Sequence, residues 1–402
     1  MAVNLPIMKD VLAVPGFRVA AASGEVRYQG RDDVALIELA PGSTVAGIFT
    51  QNSFRAAPVS VAQEHMTRGE VRYLLINSGN ANAATGEAGI EAARKCCAGL
   101  AEIAGVEAAH VLPFSTGVIG EPLPSERVIS ASAQAYARLA DAGWEQAAAA
   151  IMTTDTVPKA VSRRADVDGQ PIVVTGMAKG VGMVRPDMAT VLAYIATDAT
   201  VAQADLGSML GRVAARSFNR ITVDGDTSTN DSCILMASGV RQVPRTPAGT
   251  EALEAAITDV ASQLAQWLIR DGEGATRFVT IEVSEGRDAD ECLEVAYTIA
   301  HSPLVKTALF AGDPNWGRFV MAIGRAGVED LDVRGVSIFL DQVQVVAQGA
   351  LARGYREQDG ARVMGQPDVS IRVVLGRGAA CETVWTSDLS YEYVKINAEY
   401  RT

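Results

Sequence analysis

Lys179-Gly-Val-Gly-Met-Val-Arg-Pro-Asp-Met-Ala189-Thr190-Val-Leu-Ala-Tyr-Ile-Ala-Thr-Asp198 carries a glycine-rich, proline-bearing turn straight into an apolar run that opens with a threonine. By pattern alone, Met188 to Ile195 reads as a buried strand closed by turn-forming Asp198. A threonine inside it needs no further explanation, because β-branched residues suit a pleated surface. The junction permits a second reading. Ala189 puts a small residue directly before Thr190, so that the hydroxyl can attack the preceding carbonyl and open the backbone. The threonine released would keep a free α-amine beside its own hydroxyl. With an unperturbed pKa of roughly 7.7 to 8.0, that amine serves as a base near neutral pH.

Outward from this stretch the chain alternates strand and helix signals. Phe17 to Val59 reads as a series of strands, with turns at Gly30-Arg-Asp-Asp33 and Pro41-Gly42-Ser43 and an end at Arg55-Ala-Ala-Pro58. A strand from Val71 to Ile76 follows, then a helix from about Gly86 to Ala104, where Ile90, Ala93, Cys97, Leu100 and Ala104 recur at helical spacing. Alanine-rich helices fit Ser125 to Leu139 and Asp141 to Ala150. Beyond Asp198, helices near Gln203 to Phe218 and Glu251 to Arg270 flank a strand from Cys233 to Ser238. The spacing then predicts strand, helix, strand, helix over Phe278 to Val283, Asp288 to Ala300, Leu304 to Phe310 and Trp316 to Ala326. Mixed strands and helices without a phosphate-loop motif point to a layered α/β fold with mixed sheets, and a distinct α/β subdomain is expected at about 278–390.

Composition narrows the function. With 402 residues, 48% of them hydrophobic, the chain can bury an ample core. Its 35 Lys+Arg against 47 Asp+Glu give a formal charge of -12, which opposes a phosphate-binding surface, so no nucleic-acid partner is expected. No apolar run is long enough for a membrane span and no basic, hydrophobic leader opens the sequence, so a cytoplasmic protein with no membrane partner is expected. Five cysteines without CxxC pairing indicate reduced buried thiols.

Familiar catalytic patterns are missing. His65, His110 and His301 have no metal-ligand spacing, and there is no GxSxG elbow, so a nucleophile here needs a base other than histidine. The acidic run Asp224-Gly-Asp226-Thr-Ser-Thr-Asn230-Asp231 invites a calcium reading, but the closing glutamate of such a loop falls on apolar Leu235. An Asx-rich structural turn fits better. Pro113-Phe-Ser-Thr116-Gly117-Val-Ile-Gly120 is first a loop signal, and it also offers a hydroxyl and a backbone N–H on a glycine turn, as an oxyanion requires.

Six further blocks complete the pattern: Asn77-Ser-Gly-Asn-Ala-Asn82, Met152-Thr-Thr-Asp-Thr156-Val-Pro-Lys159, Asp224 to Asp231, Asp271-Gly-Glu273-Gly-Ala-Thr276, Gly312-Asp-Pro-Asn-Trp-Gly-Arg318 and Lys395-Ile-Asn397-Ala-Glu-Tyr-Arg-Thr402. Taken in order with the Ala189-Thr190 junction and the Thr116-Gly117 turn, they resemble the ornithine acetyltransferase family, the glutamate N-acetyltransferases of the cyclic arginine pathway. The resemblance implies cleavage between Ala189 and Thr190, Thr190 as nucleophile, and Thr116 with Gly117 as oxyanion hole. It places substrate contacts on Thr156, Lys179, Thr190, Glu273, Asn397 and Thr402. A cationic Lys179 suits the α-carboxylate that both substrates carry, and Glu273 suits the side-chain ammonium of ornithine. Val181 and Asp187 stand where small or amide residues are common in the family, and Asp187 bears on the self-cleavage rate.

The implied activity is a self-cleaving acyltransfer from N-acetylornithine to glutamate through an acetyl-threonine, without metal or organic cofactor. The implied fold is a four-layer α-β-β-α arrangement with mixed sheets. The implied assembly has N-terminal chain 1–189 and C-terminal chain 190–402, two of each. Acetyl-coenzyme A as an additional donor stays open, as does a specialised pathway with another acceptor. The competing readings are an N-terminal-nucleophile aminopeptidase of related fold, which sends the acyl-enzyme to water, and an unprocessed scaffold.

Overall fold

The computed structural model describes residues 2–6, 8–185 and 191–400. They form two units, one of Ile7–Asn219 and Asp226–Leu268, the other of Met1–Pro6, Arg220–Gly225 and Ile269–Thr402.

The larger unit opens with β1 (Phe17–Ala22), β2 (Val34–Leu39), β3 (Thr44–Phe49), α1 (Ala57–Met66), β4 (Tyr73–Asn77), α2 (Gly86–Ala104) and β5 (Val111–Ser115). It continues through α3 (Ser125–Ala137), α4 (Trp144–Ala150), β6 (Ala160–Val167), β7 (Gln170–Lys179), β8 (Leu192–Ala199) and α5 (Gln203–Arg216). After β9 (Ile221–Thr222), which belongs to the smaller unit, it closes with β10 (Ser232–Arg241) and α6 (Pro247–Arg270), whose last two residues also lie in the smaller unit. Two mixed sheets result, ordered β1-β2-β4-β5 and β3-β10-β8-β7-β6, with β4–β5 and β8–β10 as their parallel pairs.

Alternation of side chains along the strands gives each sheet two faces. Phe17, Ile37, Leu74 and Phe114 of the four-stranded sheet share one buried cluster with Val45, Met177, Tyr194 and Ile234 of the five-stranded sheet. Phe114 and Tyr194 meet edge to face at 5.2 Å, the arrangement their ring quadrupoles favour. The other face of the four-stranded sheet, with Leu36, Leu75 and Val111, packs on Cys97 and Leu100 of α2 and Val128 and Ala131 of α3. On the five-stranded sheet, a Cβ at Gly176 would meet Val260 and Leu264 of α6 at 3.0 Å, so a helix lies close over β7.

The smaller unit adds β11 (Phe278–Gly286), α7 (Ala289–Ala300), α8 (Pro303–Ala311), α9 (Trp316–Gly324), β12 (Ser337–Leu340), β13 (Val343–Ala347), β14 (Ala350–Leu351), α10 (Glu357–Met364), β15 (Asp368–Val374), β16 (Ala380–Ser387) and α11 (Tyr391–Ala398). Its seven strands run β14-β13-β12-β15-β11-β16-β9 over one buried cluster that includes Ile281, Ile371, Ile299 and Phe319.

One expectation is corrected here. Leu304 to Phe310 is not a strand but most of helix α8. Ser302 caps it by accepting the Val305 N–H, Pro303 occupies its first turn, and Gly312 ends it in the left-handed conformation. Burial of Val305, Ala308 and Leu309, at helical rather than alternating spacing, lets the caps win over the apolar run. No described helix is long and apolar enough to cross a membrane.

Candidate active site

Two strand ends and one turn build the corner around Lys179 in the larger unit. Lys179 is the last residue of β7 and pairs with Leu192 at the start of β8, which in turn pairs with Ser232 at the start of β10. Thr116 follows the last residue of β5, its N–H bonded to the Asn77 carbonyl at 3.0 Å. The turn beyond it is glycine by necessity. Gly117 sits at φ +135°, and a Cβ there would lie 2.2 Å from the Gly79 carbonyl carbon and 2.5 Å from the Asn80 nitrogen.

The Asn77–Asn82 block is what clamps that turn. Asn77 Nδ2 donates to the Asn80 carbonyl at 2.9 Å, and Ser115 Oγ donates to Asn77 Oδ1 at 2.6 Å. Asn230 Nδ2 donates to the carbonyls of Ala81 and Ser115 at 2.6 and 2.9 Å. The Asx-rich run thus acts as a structural turn that fastens the Thr116 loop from the other side, each amide satisfying backbone oxygens that burial would otherwise strand.

Lys179, only 7% exposed, crosses from β7 to this turn. Its Nζ donates to Thr116 Oγ1 at 3.2 Å and to Thr153 Oγ1 at 2.7 Å, and lies 3.8 Å from Asp155 Oδ2. Asp155 is the hub beneath it. Its carboxylate accepts from Lys159 Nζ at 2.9 Å and from the N–H groups of Thr153 and Gly180, each at 3.2 Å. Burial alone would raise its pKa, but the charges of Lys159 and Lys179 and these hydrogen bonds hold the carboxyl well below the usual range. Asp231 behaves oppositely. It is buried, its Oδ2 has no partner among the described residues, and burial pushes its carboxyl well above the ordinary value despite Ser228 and the Lys179 charge.

In the smaller unit, Glu273 and Asn397 meet. Asn397 Nδ2 on α11 donates to Glu273 Oε2 at 2.8 Å. Ser390 caps α11 and also donates to the Gly274 carbonyl at 2.6 Å, which fastens the Glu273 loop to the helix. Gly274 is left-handed at φ +67°, and a Cβ there would sit 2.4 Å from the Tyr393 nitrogen. Asp388 holds the far end of the loop by accepting from Thr276 Oγ1 and from the N–H groups of Thr276 and Arg277 at 2.6 to 2.9 Å.

The structure therefore brings together Lys179, Thr116 and Gly117, and separately Glu273 and Asn397. Thr156 is exposed, whereas Thr153 of the same block holds Lys179. Ala189, Thr190 and Thr402 lie outside the described residues, as does Asp187. Thr153, Asp155, Lys159 and Asp231 were not singled out from sequence. An aspartate four residues before a lysine in a Thr-rich block was the one local signal for the Asp155–Lys159 pair. Among the described residues, no group of three or more His, Cys, Asp or Glu side chains could hold a metal ion.

Known proteins match nearly the whole chain. The ArgJ family matches residues 18–402. The arginine biosynthesis bifunctional protein ArgJ of Pseudomonas syringae pv. tomato is 53% identical over 406 residues, covering 100% of both chains. The protein of the same name from Methylococcus capsulatus is 53% identical over 400 residues, 98% of each. The crystal structure of arginine biosynthesis bifunctional protein argJ from Bacillus halodurans aligns with TM-score 0.48 and 36% identity, over 50% of this chain and 96% of that one. The chain belongs to the ArgJ family.

Proposed function

We propose that this chain is a self-processing acetyltransferase of arginine biosynthesis with Thr190 as its nucleophile. Thr190 Oγ attacks the Ala189 carbonyl, the peptide C–N bond breaks as an ester forms, and water hydrolyses that ester. Chains 1–189 and 190–402 result, the second beginning with a free α-amine. In the transfer reaction the amine takes the hydroxyl proton as Oγ attacks the acetyl carbonyl of N-acetylornithine, and returns it to the departing ornithine amine. The acetyl-threonine then passes its acetyl group to the amine of glutamate.

The observation that carries this reading is the turn at Thr116-Gly117. A hydroxyl held by an ammonium stands beside a residue that only glycine can be, so backbone and side-chain donors share one rigid turn. Lys179 and Leu192, which flank the Ala189-Thr190 junction in sequence, are paired strand residues, and Lys179 reaches this turn. Lys179, Glu273 and Asn397, with Thr156 and Thr402, are proposed substrate contacts. The shared cluster between the two sheets, with helices against their other faces, supports a four-layer α-β-β-α arrangement. We further infer two copies of each processed chain, a cytoplasmic location, and acetyl-coenzyme A as second donor, the last because relatives at 53% identity are named bifunctional.

The test is direct. Purified protein is incubated with N-acetylornithine and glutamate, and separately with acetyl-coenzyme A and glutamate, while ornithine and N-acetylglutamate are followed. Formation of both products in the first mixture is expected. Release of acetate in place of N-acetylglutamate would mean that the acyl-enzyme goes to water.

A further inference from the structure

We propose that Asp155, acting through Lys179, is a positioning residue that aims the Thr116 hydroxyl at the substrate oxyanion. The inference rests on the oxyanion reading of Thr116 given above.

A threonine hydroxyl has one hydrogen to donate and two lone pairs to accept with. In the structure one lone pair of Thr116 Oγ1 is taken by the Lys179 ammonium at 3.2 Å. An ammonium accepts nothing, so the hydroxyl hydrogen cannot point back along that bond and must turn elsewhere. Accepting from a cation also polarises the O–H, which strengthens its own donation in a dry site. A lysine on four methylenes would ordinarily spread over many rotamers, and ordering it costs entropy on every turnover. Here the ordering is built in. Thr153 Oγ1 takes a second N–H at 2.7 Å, and Asp155 Oδ2 sits 3.8 Å from Nζ.

Asp155 is itself immobile, with no exposed side-chain surface and its oxygens fixed by Lys159 and two backbone N–H groups. Lys159 and Lys179 both face this carboxylate. It is the Lys179 ammonium that reaches on to Thr116, where the carbonyl oxygen becomes negative. Because the two lysines hold Asp155 ionised, the anchor stays charged across the working pH range. This gives Lys179, beyond the substrate contact proposed above, a transition-state role through Thr116 that outweighs ground-state recognition of a substrate carboxylate.

A double-mutant cycle decides between these roles. Wild type, Lys179→Met, Thr116→Ala and the double variant are compared in kcat and KM for N-acetylornithine. Where a variant does not mature, the rate of its own chain cleavage is compared instead, since that step passes through an oxyanion as well. Loss of one oxyanion donor lowers kcat about a hundredfold to a thousandfold. We expect Lys179→Met to fall in or just below that range with KM changed less than about threefold, and to add almost nothing in the Thr116→Ala background. Effects that multiply, or a raised KM at unchanged kcat, would overturn the proposal and return Lys179 to substrate binding. Normal catalysis and cleavage in Thr116→Ala alone would instead reject the oxyanion reading beneath it. Should Lys179→Met fail to fold, Thr153→Val carries the test, because it removes one acceptor and leaves every charge. A kcat loss with Thr116 present and none in the Thr116→Ala background supports the proposal, and equal losses in both backgrounds sink it.

Discussion

Both units bury lysine, and Lys159 and Lys306 differ in what faces them. Lys159 in the larger unit has no exposed side-chain surface and donates to the Asp155 carboxylate at 2.9 Å. Lys306 in the smaller unit, 4% exposed, donates to the Thr386 hydroxyl at 3.0 Å and to the Ser387 carbonyl. Burial pushes the Lys306 ammonium down to about 8, against the more distant pull of Asp388 and Asp224. Neutral oxygens satisfy the hydrogen-bonding of a buried cation without offsetting its desolvation, whereas a contacting carboxylate offsets it and is itself held ionised. One unit thus carries a fixed charge under its candidate site, and the other a charge that neutralises within reach of physiological pH.

The largest expected effect comes from breaking the fixed pair. Asp155→Asn removes the carboxylate that two buried cations face, and loss of one partner of a buried pair costs about 3–5 kcal/mol. The folded pKa of Asp155 is depressed, so its contribution is present above the unfolded value of about 3.9 and is lost as pH falls through the folded value. Urea unfolding at pH 7 and again below pH 4 should show the gap narrowing on acidification. A variant within about 1 kcal/mol of wild type at pH 7 would break the comparison.

Next in size, and opposite in sign, is Lys306→Met. Lowering the folded value to about 8 makes the charge a cost of roughly 3 kcal/mol at pH 7, which disappears as pH rises from about 8 to the unfolded value of about 10.4. The variant should therefore lose ground to wild type between pH 8 and pH 10 in the same unfolding assay. A stability difference that does not change over that interval would show that Lys306 is held no less firmly than Lys159.

The smallest effect sharpens how the two candidate clusters are held. Glu273 depends on a capped terminal helix rather than on an ion pair, and Ser390 supplies both the cap and the bond to Gly274. Ser390→Ala should cost about 1 kcal/mol, concentrated as faster amide exchange in Tyr391–Ala398. Unchanged exchange there would assign the holding to Asp388 alone.

Elements with strong local signals were legible. The helix at Gly86–Ala104 follows its apolar spacing, and the paired strand at Leu192–Ala199 follows the apolar run after Thr190. The hairpin of β6 and β7 was equally legible through Asp168-Gly169, both at positive φ between Val167 and Gln170, yet it went unread. Helix α8 was misread because its apolar content outweighed the Ser302-Pro303 start signal. At the candidate site, Thr116, Gly117 and Lys179 were reached through motif resemblance. Asp155 and Thr153 were not, because what makes them matter is a contact with Lys179, more than twenty residues away along the chain. Nor does sequence separate Asp155, buried against two lysines, from Asp231, buried with an oxygen that no described residue partners.

The central claim is that Thr190 cuts its own chain and then carries the acetyl group. Intact-mass analysis of purified protein, before and after N-acetylornithine is added without glutamate, tests both halves in one measurement. The expected result is two chains that divide between Ala189 and Thr190. On addition of substrate the 190–402 chain becomes heavier by one acetyl group, located on Thr190 and lost when glutamate follows. A single uncut chain, or an acetyl group located anywhere else, would contradict the account.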